Sequence, residues 1–417
     1  MLYERWSRIA AERKGELALQ DLASGRRWTF GELSAAGESQ PVGDAEIIFP
    51  QGHSPEFILA LLAAWQSGRV VCPLEPGQAP PSFPMPPPNY VHLKSTSATT
   101  GAPRMVAFTG AQLAADADNI VATMGLRPDW PNLGVISMAH SYGFSNLVLP
   151  LLLHGIPLII VPSPLPEAIR RAADGRESLT LPAVPAMWRA WHEAQAIPPN
   201  VRLAISAGAP LPAGLEQQIV TSAGLKVHNF YGSTECGGIA YDAGAKPRAD
   251  DAFIGVPMRN VDLSVNERGC LTVRSRAVGE TYWPEPDGTL GAGRFQTSDL
   301  AELKNGEVFL RGRVGDQINV AGRKVSPETI ERVLRQHPGV AECLVFGVPS
   351  RDTERTEEIV AVVASRERED RLRQFVLESL AAWQAPRHWW FVEAVQTNPR
   401  GKISRGEWRE RWLAKRK

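Results

Sequence analysis

An α/β fold is what this sequence predicts: a large amino-terminal domain with parallel sheets and a β-rich subdomain, followed by a small α+β carboxy-terminal lid domain. Three observations predict it. Apolar strand-like runs alternate with helix-like runs from about residue 90 to about residue 300; such alternation argues parallel strands joined by helical crossovers. The character changes near residue 312, where a capped helix, two apolar strands, a helix and a further strand follow in quick succession. The length, 417 residues with 43% hydrophobic side chains, suffices for two or more domains of about 100–200 residues each.

The elements follow in chain order. The opening "MLYERWSRIAAERKGELALQ" is too charged for a signal peptide. "PPSFPMPPP", residues 80–88, lacks the backbone donors of a central strand or helix and reads as a connector. In "TGAQLAADADNIVATMGL", Thr109 can cap a helix, with Leu113, Ile120, Val121 and Met124 on one face. "GVISMA" (residues 134–139) and "VRLAIS" (residues 201–206) are strand candidates. "NLVLPLLLHGIPLIIVP" is broken by Pro150, His154, Gly155 and Pro157. It falls short of the roughly 20 clean apolar residues of a spanning helix and reads as a buried helix followed by a buried strand at residues 158–161. "DLSVNERGCLTVRS" reads as a hairpin turning at residues 266–269.

"GRVGDQ", residues 312–317, marks the boundary between a domain of residues 1–312 and one of residues 313–417. In the second, Ser326 can cap a helix with Pro327 at its first position; Ile330, Val333 and Leu334 form its apolar face. "AECLVFGV" and "EEIVAVVAS" read as strands, "REDRLRQFVLESLAAW" as a helix and "HWWFVEA" as a strand.

Composition narrows the function. Lys+Arg and Asp+Glu both number 45, so the formal net charge is zero. That balance argues against nucleic acid or an anionic membrane as the main partner; the basic tail "RGEWRERWLAKRK" reads as a solvated helix end. The four cysteines, Cys72, Cys236, Cys270 and Cys343, are far apart and form no CxxC pair, which suggests neither a zinc site nor a disulfide scaffold. Reduced thiols and a cytoplasmic setting are the expectation.

One short run concentrates polar groups: "KSTSATTGAPRMVAFTG", residues 94–110. Thr96, Ser97, Thr99 and Thr100 offer hydroxyls, while Ala98, Gly101 and Ala102 leave the backbone amides uncrowded. Such a nest of donors suits phosphate oxygens, and Arg104 can add a positive charge. The GxxxxGK[ST] loop is absent from the chain. Taken alone, the run also describes an ordinary polar turn.

It is accompanied, in order, by "LAISAGAPL" (203–211), "NFYGSTECGG" (229–238), "FIGVPMRNVDLSV" (253–265), "FQTSDLAEL" (295–303), "GRVGDQINVAGRKVSPETIE" (312–331) and "NPRGKISR" (398–405). From about residue 90 to the end, this ordered set resembles the core motifs of the adenylate-forming superfamily. That superfamily holds acyl-CoA synthetases, aryl-CoA ligases, firefly luciferase and the adenylation domains of nonribosomal peptide synthetases. The resemblance implies ATP-dependent activation of a carboxylic acid to acyl-AMP with release of pyrophosphate. Transfer to a thiol, of CoA or of a carrier protein's pantetheine, then follows.

The resemblance also implies roles. Thr96, Ser97, Thr99, Thr100, Gly101 and Arg104 would hold the β- and γ-phosphates. Asn229, Tyr231 and Gly232 belong to the adenine-binding motif, with Tyr231 stacked on the base and Gly208 and Ala209 beside it. Thr234 would touch the α-phosphate and Glu235 would bind Mg²⁺, a hard cation that prefers oxygen ligands. Asp299 would accept the ribose hydroxyls and Arg313 would contact the same sugar. Lys402 would bridge the carboxylate and the α-phosphate, offsetting the repulsion of two anions. His140, in "MAHSYGFS", would lie near the substrate carboxylate or gate the thiol's path; it reads equally as a satisfied core histidine. Gly315 and Asp316 stand at the hinge between the domains.

The chain departs from the pattern in places. Ala98 replaces a glycine, Arg104 a lysine and Met105 a glycine, so residues 98 and 105 need negative φ and Arg104 keeps the charge with a different geometry. Gly315 replaces an Asp or Lys and Asn319 a common Lys. The part before the loop, residues 1–90, is short for the family. From Trp130 to Pro166 there is no acidic residue to pair with an ammonium group; together with Tyr142, Phe144 and the Leu-rich run, this points to a fatty or aromatic acid rather than an α-amino acid. Two other readings stay open: adenylation ending in intramolecular acyl transfer, such as β-lactone formation, and a degenerate homologue that binds nucleotide or acyl ligand without turnover.

Overall fold

A computed structural model describes residues 1–41, 43–96, 104–350, 356–396 and 404–416. Parallel pairing joins Asn132–Gly134, Leu158–Ile160, Leu179–Ala183, Val201–Ser206 and Val227–Ser233, in the stretch where the alternation predicts it, and adds Leu17–Asp21 from outside that stretch. The last of these is shared. Residues 227–229 pair parallel with 204–206, and residues 230–233 pair antiparallel with Gly237–Tyr241. From there the sheet continues antiparallel through Phe253–Pro257, Glu307–Arg313, Arg294–Lys304, Cys270–Arg274 and Asp262–Val265. The carboxyl end of Val227–Ser233 is thus where one sheet geometry gives way to the other. In open α/β sheets ligands gather beyond the carboxyl ends of strands.

A second sheet orders Thr281–Trp283, Met105–Phe108, His92–Ser95, Val70–Val71 and Ile47–Ile48. The polar loop at residues 96–104 joins two of its strands. Its departures from the family pattern can be followed at one end. Met105 does not adopt positive φ; it lies on the strand, buried beside Val70, Cys72, Leu93 and Ala107. Its bulk fills a small core rather than crowding the loop.

Between the sheets lies the helix Gly110–Met124. Thr109 and Gln112 form a reciprocal capping box at its start, an arrangement that stabilises a helix by about 1 kcal/mol. Leu113, Ile120 and Met124 are buried and Val121 is half-buried, as the spacing predicts. The buried helix expected before residue 158 opens as a π-turn at Phe144–Val148 and continues as Leu149–His154. Among the described residues no helix is long and apolar enough to cross a membrane.

Two local expectations need correction. Residues 134–139 are not a strand, because pairing ends at Gly134. The Ser137 carbonyl is instead packed against Gly143, where a Cβ would come within 2.0 Å of it, and the segment folds back on itself. Ser326 does precede the helix Pro327–Gln336, but it makes no side-chain cap bond; its hydroxyl donates to Glu328 Oε2 at 2.5 Å.

Beyond residue 317 the apolar residues form clusters of their own on either side of a three-stranded sheet, Val340–Pro349, Glu357–Ser365 and His388–Val392. Ile359, Ala361 and Val363 face one cluster, and Val360 and Val362 the other. A central strand covered on both faces reads as the continuous apolar run "IVAVVA". The predicted helix of residues 368–383 ends earlier, as Glu369–Ser379, followed by a single 3₁₀ turn at Ala382–Gln384.

Candidate active site

The turn at residues 234–236, between Val227–Ser233 and Gly237–Tyr241, is the centre from which the site is built. Glycine is required on both sides of it. A Cβ on Gly232 would lie 2.6 Å from the Gly237 carbonyl oxygen, and one on Gly237, at φ +68, would lie 2.0 Å from Asp116 Oδ1. Three groups of side chains meet this turn and the strand that leads into it.

On one side the Tyr231 hydroxyl donates to Asp299 Oδ2 at 2.5 Å, and Arg313 Nε donates to Asp299 Oδ1 at 2.6 Å. Asp299 and Arg313 are cross-strand partners in register. Asp299 is 8% exposed. Burial and the Asp299 charge push the Tyr231 phenol well above its ordinary range, and the same charge raises Arg313. Asn229, buried on the same strand, is the register partner of Ser206. Gly208, at φ +83 just past Val201–Ser206, follows with Ala209.

On a second side Ser141 Oγ donates to Thr234 Oγ1 at 3.1 Å, bringing the "MAHSYGFS" segment to the turn. The neighbouring His140 Nε2 lies 3.2 Å from Glu75 Oε1, which also accepts from Ser137 Oγ at 2.7 Å. Glu75 comes from the loop after Val70–Val71, remote in sequence, and no motif singled it out. Tyr142 spans the strand ends beneath, its hydroxyl 3.4 Å from the Ala183 carbonyl and 3.3 Å from that of Ile205.

On the third side the Tyr282 hydroxyl donates to Glu235 Oε1 at 3.1 Å, and the Arg104 guanidinium lies 3.7 Å over the Tyr282 ring. Arg104 also pairs with Asp287 at 2.5 Å. The Thr96 amide donates to the Arg104 carbonyl at 2.8 Å, and the Arg104 amide to Thr96 Oγ1 at 3.2 Å. These two bonds close the base of the polar loop. Ser97, Thr99, Thr100 and Gly101 lie outside the described residues, as does Lys402.

Behind the turn, Lys94 and Asp116 form a buried pair 4.0 Å apart. Asp116 also accepts from Ser145 Oγ at 2.6 Å and from the Gly238 amide at 3.1 Å. Burial lowers Lys94, and the Asp116 charge opposes that shift. The pair ties the strand entering the polar loop to the strand leaving the turn. In the 3₁₀ turn Val314–Asp316, Asp316 Oδ2 is 3.3 Å from Arg405, whose guanidinium also reaches Glu328 at 2.9 Å and Glu331 at 2.8 Å. Nothing lies within 4 Å of a Cβ built on Gly315.

All four cysteines are buried and free. Among the described residues no cluster of three His, Cys, Asp or Glu side chains could hold a metal. A single half-buried carboxylate, Glu235, suits Mg²⁺, which is commonly held by one or two carboxylates together with substrate phosphates.

Comparison with known proteins identifies the family. The profile of the AMP-binding enzyme family matches residues 78–286, and that of the AMP-binding enzyme C-terminal domain matches residues 329–402. A feruloyl-CoA synthase of Amycolatopsis sp is 28% identical over 387 residues, covering 86% of this chain and 78% of that protein. A fatty acid–[acyl-carrier-protein] ligase of Streptomyces coeruleorubidus is 29% identical over 428 residues, covering 94% of this chain and 79% of its own. The fold is also that of ATP-bound MatB from Rhodopseudomonas palustris, with TM-score 0.86 and 21% identity over 100% of both chains. The chain belongs to the AMP-binding enzyme family, the AMP-forming acid–thiol ligases.

Proposed function

We propose that the turn at residues 234–236 is where ATP and a carboxylic acid meet, and that this chain makes thioesters of fatty or aromatic acids. The observation that carries the reading is the convergence on residues 231–235 of Asp299 at Tyr231, Ser141 at Thr234 and Tyr282 at Glu235, which arrive from three separate parts of the sequence.

In this reading the Tyr231 ring lies against adenine, with Gly208 and Ala209 on its other side and Asn229 and Gly232 shaping the strand beneath. Asp299 accepts the ribose hydroxyls. Each of its oxygens already accepts one bond, and an ionised carboxylate has about four acceptor positions in all, so capacity remains. Arg313 steadies it. Thr234 contacts the α-phosphate. Thr96, Ser97, Thr99, Thr100, Gly101 and Arg104 hold the departing pyrophosphate. Glu235 would hold Mg²⁺, which when bound would neutralise phosphate charge. The acid's carboxylate oxygen attacks the α-phosphorus and the bond to pyrophosphate breaks. Lys402 stabilises the anions that meet there.

The thiol of CoA or of pantetheine then attacks the acyl carbon, loses its proton, and displaces AMP. His140, steadied by Glu75, is the side chain placed for this second step. Gly315 and Asp316 form the pivot between the two steps. The names of the relatives support both acceptors and both acid classes, since one makes an aromatic CoA ester and another loads a fatty acid onto a carrier protein.

The experiment is to assay Lys402→Ala in the two half-reactions separately. Adenylate formation should be abolished, whereas thioester formation from supplied acyl-AMP should persist. Equal loss in both would overturn the role given to Lys402.

A further inference from the structure

Tyr282 belongs to no motif named above, yet it joins two parts of the site. It lies on the strand Thr281–Trp283, which pairs antiparallel with Met105–Phe108, placing Tyr282 opposite Val106. The sequence separation from Glu235 is 47 residues, so the fold and not the local sequence brings the two together.

The link is made by backbone as well as side chain. The Gly279 amide donates to the Glu235 carbonyl at 2.8 Å and the Glu280 amide to the Ala107 carbonyl at 2.8 Å. A Cβ on Gly279 would lie 2.5 Å from Val106 Cγ1, so the segment passes close against the loop's exit strand. Gln112 fixes the Glu280 carboxylate at 2.7 Å.

An ionised carboxylate only accepts hydrogen bonds, so the Tyr282 hydroxyl is the donor in its 3.1 Å contact with Glu235 Oε1. That bond fixes the carboxylate's direction. The ring is 3% exposed and carries the Arg104 guanidinium 3.7 Å above it, a cation–π geometry.

We infer that Tyr282 is a positioning residue for the nucleotide-bound divalent cation: its hydroxyl orients Glu235 toward the metal while its ring holds Arg104 at the phosphates. The inference rests on the reading of this turn as the ATP site. Partners that orient a metal ligand typically change metal affinity by about 10–100-fold.

The test is a Mn²⁺ titration followed by electron paramagnetic resonance, with the intact protein saturated by an α,β-methylene ATP analogue. Tyr282→Phe keeps the ring and loses only the hydroxyl. It should weaken Mn²⁺ binding about 10-fold and leave the analogue's affinity in EDTA, measured by calorimetry, as in wild type. Tyr282→Leu removes the ring as well and should weaken both. Wild-type Mn²⁺ affinity in Tyr282→Phe would overturn the inference while leaving the ATP site intact. Absence of analogue-dependent Mn²⁺ binding in the wild-type protein would overturn the metal role of Glu235 and this inference with it.

Discussion

The Tyr231 hydroxyl and the Asp299 carboxylate lie 2.5 Å apart although 68 residues separate them in the chain. The contact joins the last parallel strand to the antiparallel half of the sheet, with Arg313 held on the other carboxylate oxygen. Hydrogen bonds to charged groups contribute about 1.5–3 kcal/mol, and about 1.4 kcal/mol is a factor of ten in binding. Asp299→Asn should therefore raise the KM for ATP about 10-fold or more while changing the KM for the acid little. Tyr231→Phe keeps the ring and removes one neutral donor, so its effect on the ATP KM should be smaller. Steady-state kinetics with each substrate varied in turn checks this. A parallel rise in both KM values for Asp299→Asn would mean a general loss of structure.

Glu75 gives a second expectation. Its carboxylate touches His140 and Ser137 and, among the described residues, none of Thr96, Arg104, Tyr231, Asp299 and Arg313. Glu75→Gln should slow thioester formation from supplied acyl-AMP by about 10-fold, less than the roughly 10²–10⁴-fold that an acid–base group itself contributes, because the amide oxygen still accepts a hydrogen bond. Carboxylate-dependent ATP–pyrophosphate exchange should be preserved. Equal slowing of both half-reactions would show that Glu75 only supports the fold.

Acid sensitivity is predicted at Glu358, which is 4% exposed on Glu357–Ser365. Burial opposes its charge, but bonds from His388, Ser350 and Arg416 outweigh that and bring it from an ordinary 4.5 to about 2. A depressed carboxylate stabilises the fold above its unfolded pKa, and that stability is lost as pH falls through the folded one. Urea-unfolding midpoints should therefore separate wild type from Glu358→Gln by a constant margin above about pH 5, and the margin should close toward about pH 2. A margin independent of pH would contradict the ionic account.

Much of this was legible in the sequence. Helix Gly110–Met124 follows from Thr109 and its apolar spacing, and the strands of the carboxy-terminal unit follow from their β-branched runs. Asp299, Arg313, Thr234 and Glu235 could be singled out because their motifs are local; their contacts with Tyr231, Ser141 and Tyr282 come from the fold. Residues 134–139 misled because an apolar run has the same pattern whether or not a neighbouring strand exists to pair with it. Here the segment packs against Gly143 instead. Tyr282 and Glu75 were not legible: each acts on a residue far along the chain, and no local period encodes which strands become neighbours. Arg104 shows a finer limit. Its motif offers it as a charge for phosphate, while its stacking on Tyr282 and its pairing with Asp287 depend on the register of Thr281–Trp283 against Met105–Phe108.

The most direct measurement is ATP–pyrophosphate exchange by the purified chain across a panel of fatty, aromatic and α-amino acids, with Mg²⁺ present. Exchange should require an acid and be supported by fatty or aromatic members of the panel. No acid-dependent exchange with any member, or exchange confined to α-amino acids, would contradict this expectation.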